Sequence, residues 1–105
     1  MKFDTFKKLY TEAKEYDNLE MYISERGWQE WMDSYADAND ITSVLTDIYT
    51  MSNGGVEELC FVSRMKMKAL ANMVELPYTT IQRWKAAEIP ERDKMLISFA
   101  IVNNK

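Results

Sequence analysis

KMKALANMVELPYTTIQRW, residues 66–84, is the stretch on which the reading of the chain turns. Leu70, Met73 and Val74 recur at helical spacing. The pattern breaks at Glu75-Leu76-Pro77. Proline cannot continue a helix, because it lacks the N–H and its ring crowds the preceding turn, yet it suits the opening of a new one. A second short helical pattern follows through Ile81, Trp84 and Lys85, which places a helix over 77–86. Two short helices joined by a turn of about three or four residues have the geometry of a helix-turn-helix.

Position by position, this stretch resembles the helix-turn-helix of the Cro and phage-repressor (XRE-like) type. Leu70-Ala71 stands where that family has its Leu-Ala or Phe-Ala pair, the small alanine letting the helices approach. Leu76 stands at the buried turn position, and Ile81 and Trp84 at the two buried positions of the recognition helix. The resemblance covers roughly Val56 to Ile101. Four positions depart from the family's pattern: Glu75 at the usual turn glycine, Met67 at the glutamine that touches the DNA backbone, Lys66 at the Ser or Thr cap, and Ala86-Ala87 where glycine often follows the recognition helix.

A chain of 105 residues is long enough for one core without disulfide or metal, burying roughly 65% of its unfolded surface. Cys60 is the only cysteine and histidine is absent, which excludes an internal disulfide, a Cys/His zinc site and a histidine-activated nucleophile. No apolar run approaches the roughly 20 residues of a membrane span, and the N-terminus is too charged for a signal peptide. A cytoplasmic location is expected. The net charge of −4 is unevenly spread: residues 1–60 hold five basic and thirteen acidic side chains, a net of −8, whereas residues 61–105 hold eight and four, a net of +4. Such asymmetry points to a polyanion-facing half.

Upstream, Asp4 is the expected N-cap of a first helix with Phe6, Leu9, Tyr10 and Ala13 on one face. Asp17-Asn18 opens a second, with Leu19, Tyr22 and Ile23 apolar, which Arg26-Gly27 closes through a left-handed glycine. Trp28, Trp31, Met32 and Tyr35 fall at i, i+3, i+4, i+7, a helical stripe that reads as core or, alternatively, as a partner interface. Asp33, Asp37 and Asp40 lack the register and glycine of a calcium loop, and Asp40 reads as the cap of a helix over 41–51. Ser52-Asn53-Gly54-Gly55 is the clearest break. It divides an acidic helical N-terminal layer, 1–53, from a helix-turn-helix domain, 54–105. After it come a helix over 56–62, with Leu59, Phe61 and Val62 as core, the two helices above, and a last helix from Glu91 to Val102 with Met95, Leu96, Phe99 and Ala100 apolar. Asn103-Asn104-Lys105 reads as a polar tail. The expected fold is all-α, with six or seven helices.

No phosphate-binding glycine loop or paired catalytic carboxylates stand out, so no enzyme activity and no cofactor or metal is expected. What the resemblance implies is sequence-specific binding of double-stranded DNA, by a transcriptional regulator of phage or mobile-element type. Tyr78, Thr79 and Gln82 would read base edges in the major groove. Arg83, Lys66, Lys68 and Lys85 would hold phosphates, and Thr80 would either reach a phosphate or bond within the helix through its hydroxyl. Such readers bind palindromic half-sites as homodimers, and the acidic layer is the expected dimer surface. The alternative is a small acidic protein-interaction module, of antirepressor, antitoxin or nuclease-inhibitor type, contacting a protein partner through the N-terminal half on the same scaffold.

Overall fold

The computed structural model describes residues 1–104. Seven α-helices carry the fold, with no strand among the described residues: α1 (Phe3–Ala13), α2 (Leu19–Ser24), α3 (Ala38–Asn53), α4 (Val56–Ser63), α5 (Met67–Met73), α6 (Tyr78–Ala86) and α7 (Glu91–Asn103). A 3-10 turn, Glu30–Ser34, lies between α2 and α3. Of the expected polar tail, Asn103 completes α7 and Asn104 follows it, while Lys105 lies outside the described residues.

The apolar side chains gather in two clusters. Phe6, Leu9, Tyr10 and Ala13 of α1 meet Tyr22 of α2 and Val44, Leu45 and Ile48 of α3, all buried. Edge and tilted ring pairs run through this cluster, Phe3 and Phe6 lying 5.1 and 5.3 Å from Phe99 of α7. The second cluster joins Met51, Leu59, Val62, Leu70, Ala71, Ile81, Trp84, Ile97 and Ile101. The break at Gly54-Gly55 separates α3 from α4, yet α7 belongs to both clusters: Met95 and Phe99 pack on the first, Ile97 and Ile101 sit in the second.

Most buried polar groups are paired, as desolvation demands, the exception among the described side chains being Arg26 Nη2. The Tyr22 hydroxyl donates to Leu9 O at 2.8 Å, and Ser52 Oγ to Tyr10 O at 2.9 Å. Asn53 Nδ2 reaches Ala13 O at 3.1 Å, so the end of α3 is stitched to the end of α1. Burial pushes the Tyr10 and Tyr22 hydroxyls well above the usual tyrosine range.

Several local expectations are corrected. The first helix begins at Phe3 after an extended Lys2, so Asp4 favours the helix dipole from the first turn and is not a cap. α2 ends at Ser24 and no glycine has positive φ, so Gly27 does not close it. The Trp28–Tyr35 stripe is not a helix. Gln29 is extended and starts a 3-10 turn, Met32 N bonding Gln29 O at 2.9 Å, and the chain is extended again at Tyr35. Met32 turns inward, Trp31 and Tyr35 are half-buried, and Trp28 is 69% exposed. A side-chain network holds this geometry. Arg26 stacks over Tyr22, with its Cζ 4.4 Å from the ring centroid, and donates to Tyr22 O and Glu12 Oε2. Gln29 Oε1 accepts from both Arg26 and Trp31 Nε1. Asp37 caps α3, its Oδ1 accepting from Asp40 N at 3.0 Å, so Asp40 lies in the first turn.

Phe61, expected in the core, is 78% exposed because Leu59 and Val62 take the inward positions of α4. α7 is rotated from the expected face: Lys94, Ile97, Ser98 and Ile101 are buried, and Leu96 is exposed. The lone thiol of Cys60 is half-buried against the second cluster, as a small packed residue.

Candidate nucleic-acid interface

α5 and α6 meet across a turn whose hydrogen bonds explain its sequence. Leu76 N donates to Ala71 O at 3.0 Å and Glu75 N to Asn72 O at 3.3 Å, the two bonds of a Schellman motif. That motif needs a left-handed residue, and Glu75 supplies it at φ 56° in place of the usual glycine. Arg64 closes α4 the same way at φ 59°, with Met65 N bonding Cys60 O at 3.2 Å. Leu76, Met73 and Val74 pack against the second cluster, beside buried Leu70, Ala71, Ile81 and Trp84. Pro77 stands one residue before α6 at φ −59°, and its carbonyl accepts from Thr80 N at 3.0 Å. Ala87 ends α6 with an extended φ of −135°, so the loop after it requires no glycine.

The side chains of α6 sort by helical geometry, at about 100° per residue. Tyr78, Gln82, Thr79 and Arg83 occupy one arc of roughly 140°, and all four are exposed, Tyr78 by 40%. Ile81 and Trp84 occupy the opposite arc and are buried. Thr80 is half-buried, at the edge of the packed side next to Trp84. Lys85 is exposed on the other edge, toward α4. Burial pushes the Cys60 thiol up, the charge of Glu57 adds to this, and that of Lys85 opposes it, so the ammonium acts on α4 beside Phe61. Lys66 precedes α5 and Lys68 sits in its first turn, both exposed. Among the described residues none of Arg64, Lys66, Lys68, Arg83 and Lys85 forms an ion pair. An external anion would thus displace no ion pair to these cations among the described residues.

Lys94 is the residue that the spacing of apolar side chains conceals. It is only 8% exposed. Its Nζ donates to Ser52 O at 2.9 Å and Gly54 O at 3.0 Å, satisfying carbonyls at the end of α3, and Glu91 Oε2 lies 3.8 Å away. Burial lowers the Lys94 pKa, while the charges of Glu58 and Glu88 act against the shift. The signal available in sequence is its place in the i, i+3, i+4, i+7 series of Lys94, Ile97, Ser98 and Ile101. A cavity of about 670 Å³ adjoins it, lined among others by Gly54, Glu58, Trp84, Ala87 and Glu88. The cavity thus lies between the α3–α4 junction and the last turn of α6.

Among the described residues there is no group of three or more His, Cys, Asp or Glu placed to hold a metal ion, and no helix is long and apolar enough to cross a membrane. No protein-family model matches the chain, and neither a curated protein nor a solved structure matches it.

Proposed function

We propose that the protein is a sequence-specific DNA-binding transcriptional regulator of phage or mobile-element type that reads the major groove with α6. The observation that carries this reading is the exposed arc of Tyr78, Thr79, Gln82 and Arg83, backed by cations on α5 and α6 that have no ion-pair partner among the described residues. A helix in the major groove presents its N-terminal residues to base edges. Gln82 suits a bidentate contact to adenine, and Thr79 a hydroxyl contact or a thymine methyl. Tyr78 supplies an aromatic edge and a hydroxyl at the groove wall. Arg83, Lys66, Lys68 and Lys85 neutralise phosphates and fix the register of the helix on the duplex. Two copies on adjacent half-sites would give the length of sequence that one short helix cannot read.

Selection from a random duplex pool, followed by titration at several salt concentrations, tests this. Four phosphate-bound cations per copy imply a log–log salt slope of about −3.5 per copy. Gln82→Ala combined with Arg83→Ala should lose the selected sequence while keeping the helical circular dichroism, because both side chains are exposed. A folded protein that selects no sequence and binds without salt dependence refutes the reading. A second reading, a protein-interaction module of antirepressor, antitoxin or nuclease-inhibitor type, is favoured by one observation: Trp28 stands 69% exposed in the acidic half.

A further inference from the structure

The two most exposed large apolar side chains lie one in each half of the chain, Trp28 at 69% and Phe61 at 78%. They stand in opposite electrostatic surroundings. Between residues 15 and 63 the only basic residue is Arg26, and its side chain is turned inward, 3% exposed and paired with Glu12. Glu25, Glu30, Asp33, Asp37 and Asp40 are exposed and form no ion pair among the described residues. The ledge that carries Trp28 therefore presents negative charge. Phe61 is followed one turn later by exposed Arg64, then by Lys66 and Lys68, and Lys85 acts electrostatically on its neighbour Cys60. Glu57, one turn before Phe61, is the one acid on that exposed face of α4.

We propose that the Trp28 ledge of one copy docks on the basic face around Phe61 of a second copy, joining molecules head to tail. Two acidic layers facing each other would bring net charges of −6 together, which repel across a Debye length of about 10 Å at 0.1 M salt. Acidic against basic attracts, and it buries an aromatic anchor from each side. The acidic side also offers a concave seat. A cleft of about 1160 Å³ begins at Gln29 and is lined by Glu30, Trp31, Tyr35, Lys2 and Lys8 among others. The half-buried rings of Trp31 and Tyr35, in edge contact at 5.8 Å between centroids, give it an aromatic wall. Lys2 and Lys8 stand on the α1 side, so the incoming cations have only the Glu30 and Asp33 side to pair with, which fixes the direction of entry. Such a contact uses different surfaces on the two partners and leaves the pair with one free surface of each kind, so it propagates beyond two. The contact does not require DNA binding, but it uses Lys66, Lys68 and Lys85, which under the proposed function hold phosphates, so a docked copy and DNA would compete for that face.

Sedimentation velocity on the full chain tests it, in buffers of about 20 mM and about 300 mM salt, a range over which surface attraction is strongly screened. The wild type should grow beyond a dimer as concentration rises in low salt and revert to monomer in high salt. Trp28→Ala and Phe61→Ala should each weaken association at least tenfold, with unchanged circular dichroism, since neither side chain is in a core. The decisive arm is the equimolar mixture. The Trp28→Ala copy keeps its basic face and the Phe61→Ala copy keeps its acidic ledge, so together they should form a heterodimer that grows no further. A wild type that stays monomeric at every concentration overturns the proposal. So does a wild type that stops at dimer, or a mixture that fails to associate when the wild type does.

Discussion

Replacing Lys94 with methionine isolates the contact that ties α7 to the end of α3. Methionine keeps most of the aliphatic stem and removes the donors. Ser52 O loses a partner at 2.9 Å and Gly54 O one at 3.0 Å. Ser52 is buried, so its carbonyl stays without a donor, a cost of about 1–3 kcal/mol. Gly54 is half-buried, so water can take up part of its share. Against this stands the relief of no longer holding an ammonium out of water. The expected net loss is about 2–3 kcal/mol, or about 10–15 °C in Tm for a domain of this size. Thermal and urea denaturation followed by circular dichroism measure it. A pH series adds a signature that a mere packing defect would lack. The folded-state pKa of Lys94 lies below its ordinary 10.5, because of burial. Between the folded value and 10.5 the unfolded chain binds more protons, so this group's contribution to stability rises with pH through that window. Cys60, Tyr10 and Tyr22, raised by burial, act in the opposite direction from about pH 9 upward, but they are common to both proteins. The gap between wild type and Lys94→Met should therefore widen as pH approaches 10. A variant within about 3 °C of wild type at neutral pH, or a gap that does not change with pH, would refute the reasoning, since it assigns the lysine both contacts and a desolvated charge.

Two further substitutions probe the backbone around the same joint and the turn. A Cβ on Gly54 would stand 2.3 Å from Glu58 Cγ and 2.6 Å from Glu58 Cβ, and Glu58 Oε1 is held by Gly55 N at 2.6 Å. Gly54→Ala should cost about 1–3 kcal/mol in urea denaturation, and a Glu58→Ala background should remove only the part due to Cγ and the carboxylate, because the Cβ at 2.6 Å remains. Glu75 is exposed at φ 56°, so Glu75→Gly should relieve the left-handed strain against a gain in unfolded-chain entropy, leaving stability unchanged or raised by up to about 1 kcal/mol; a measured loss above about 1 kcal/mol would mean that the Glu75 side chain makes a contact of its own.

The helices flanking the turn were legible because their signals are local and redundant. Leu70, Ala71, Ile81 and Trp84 mark the inner face, Pro77 fixes the start of α6, and all four apolar residues are buried. The exposed arc of Tyr78, Thr79, Gln82 and Arg83 follows from the same periodicity. Where spacing misled, side-chain chemistry had the deciding role. Trp28, Trp31, Met32 and Tyr35 satisfy a helical period, but Arg26 and Gln29 bond the chain into a different path, and no periodicity encodes those bonds. In α7 the buried register includes Lys94 and Ser98, which an apolar count skips; the amine spends its donors on carbonyls of Ser52 and Gly54, and Ser98 Oγ donates to Lys94 O at 2.7 Å. Phe61 shows the converse, a large apolar residue left outside because its neighbours fill the inward positions.

The acidic layer does more than separate charge from the α5–α6 face. α7 leans on it through Met95 and Phe99, and Glu91 accepts from the Tyr10 hydroxyl at 3.0 Å and pairs with Lys14. Residues 1–53 also supply Ser52 O to Lys94 and Met51 to the cluster that holds Trp84. Without that layer α7 would expose aromatic surface and lose the anchor of its first turn. Ile97 and Ile101, which share the second cluster with Ile81 and Trp84 of α6, would then lose their fixed position. The cluster that holds the inner face of α6 thus draws on residues from both sides of the Gly54-Gly55 break. A ligand or second molecule engaging the Trp28 ledge would act on a body whose two clusters share α7, a single helix of thirteen residues.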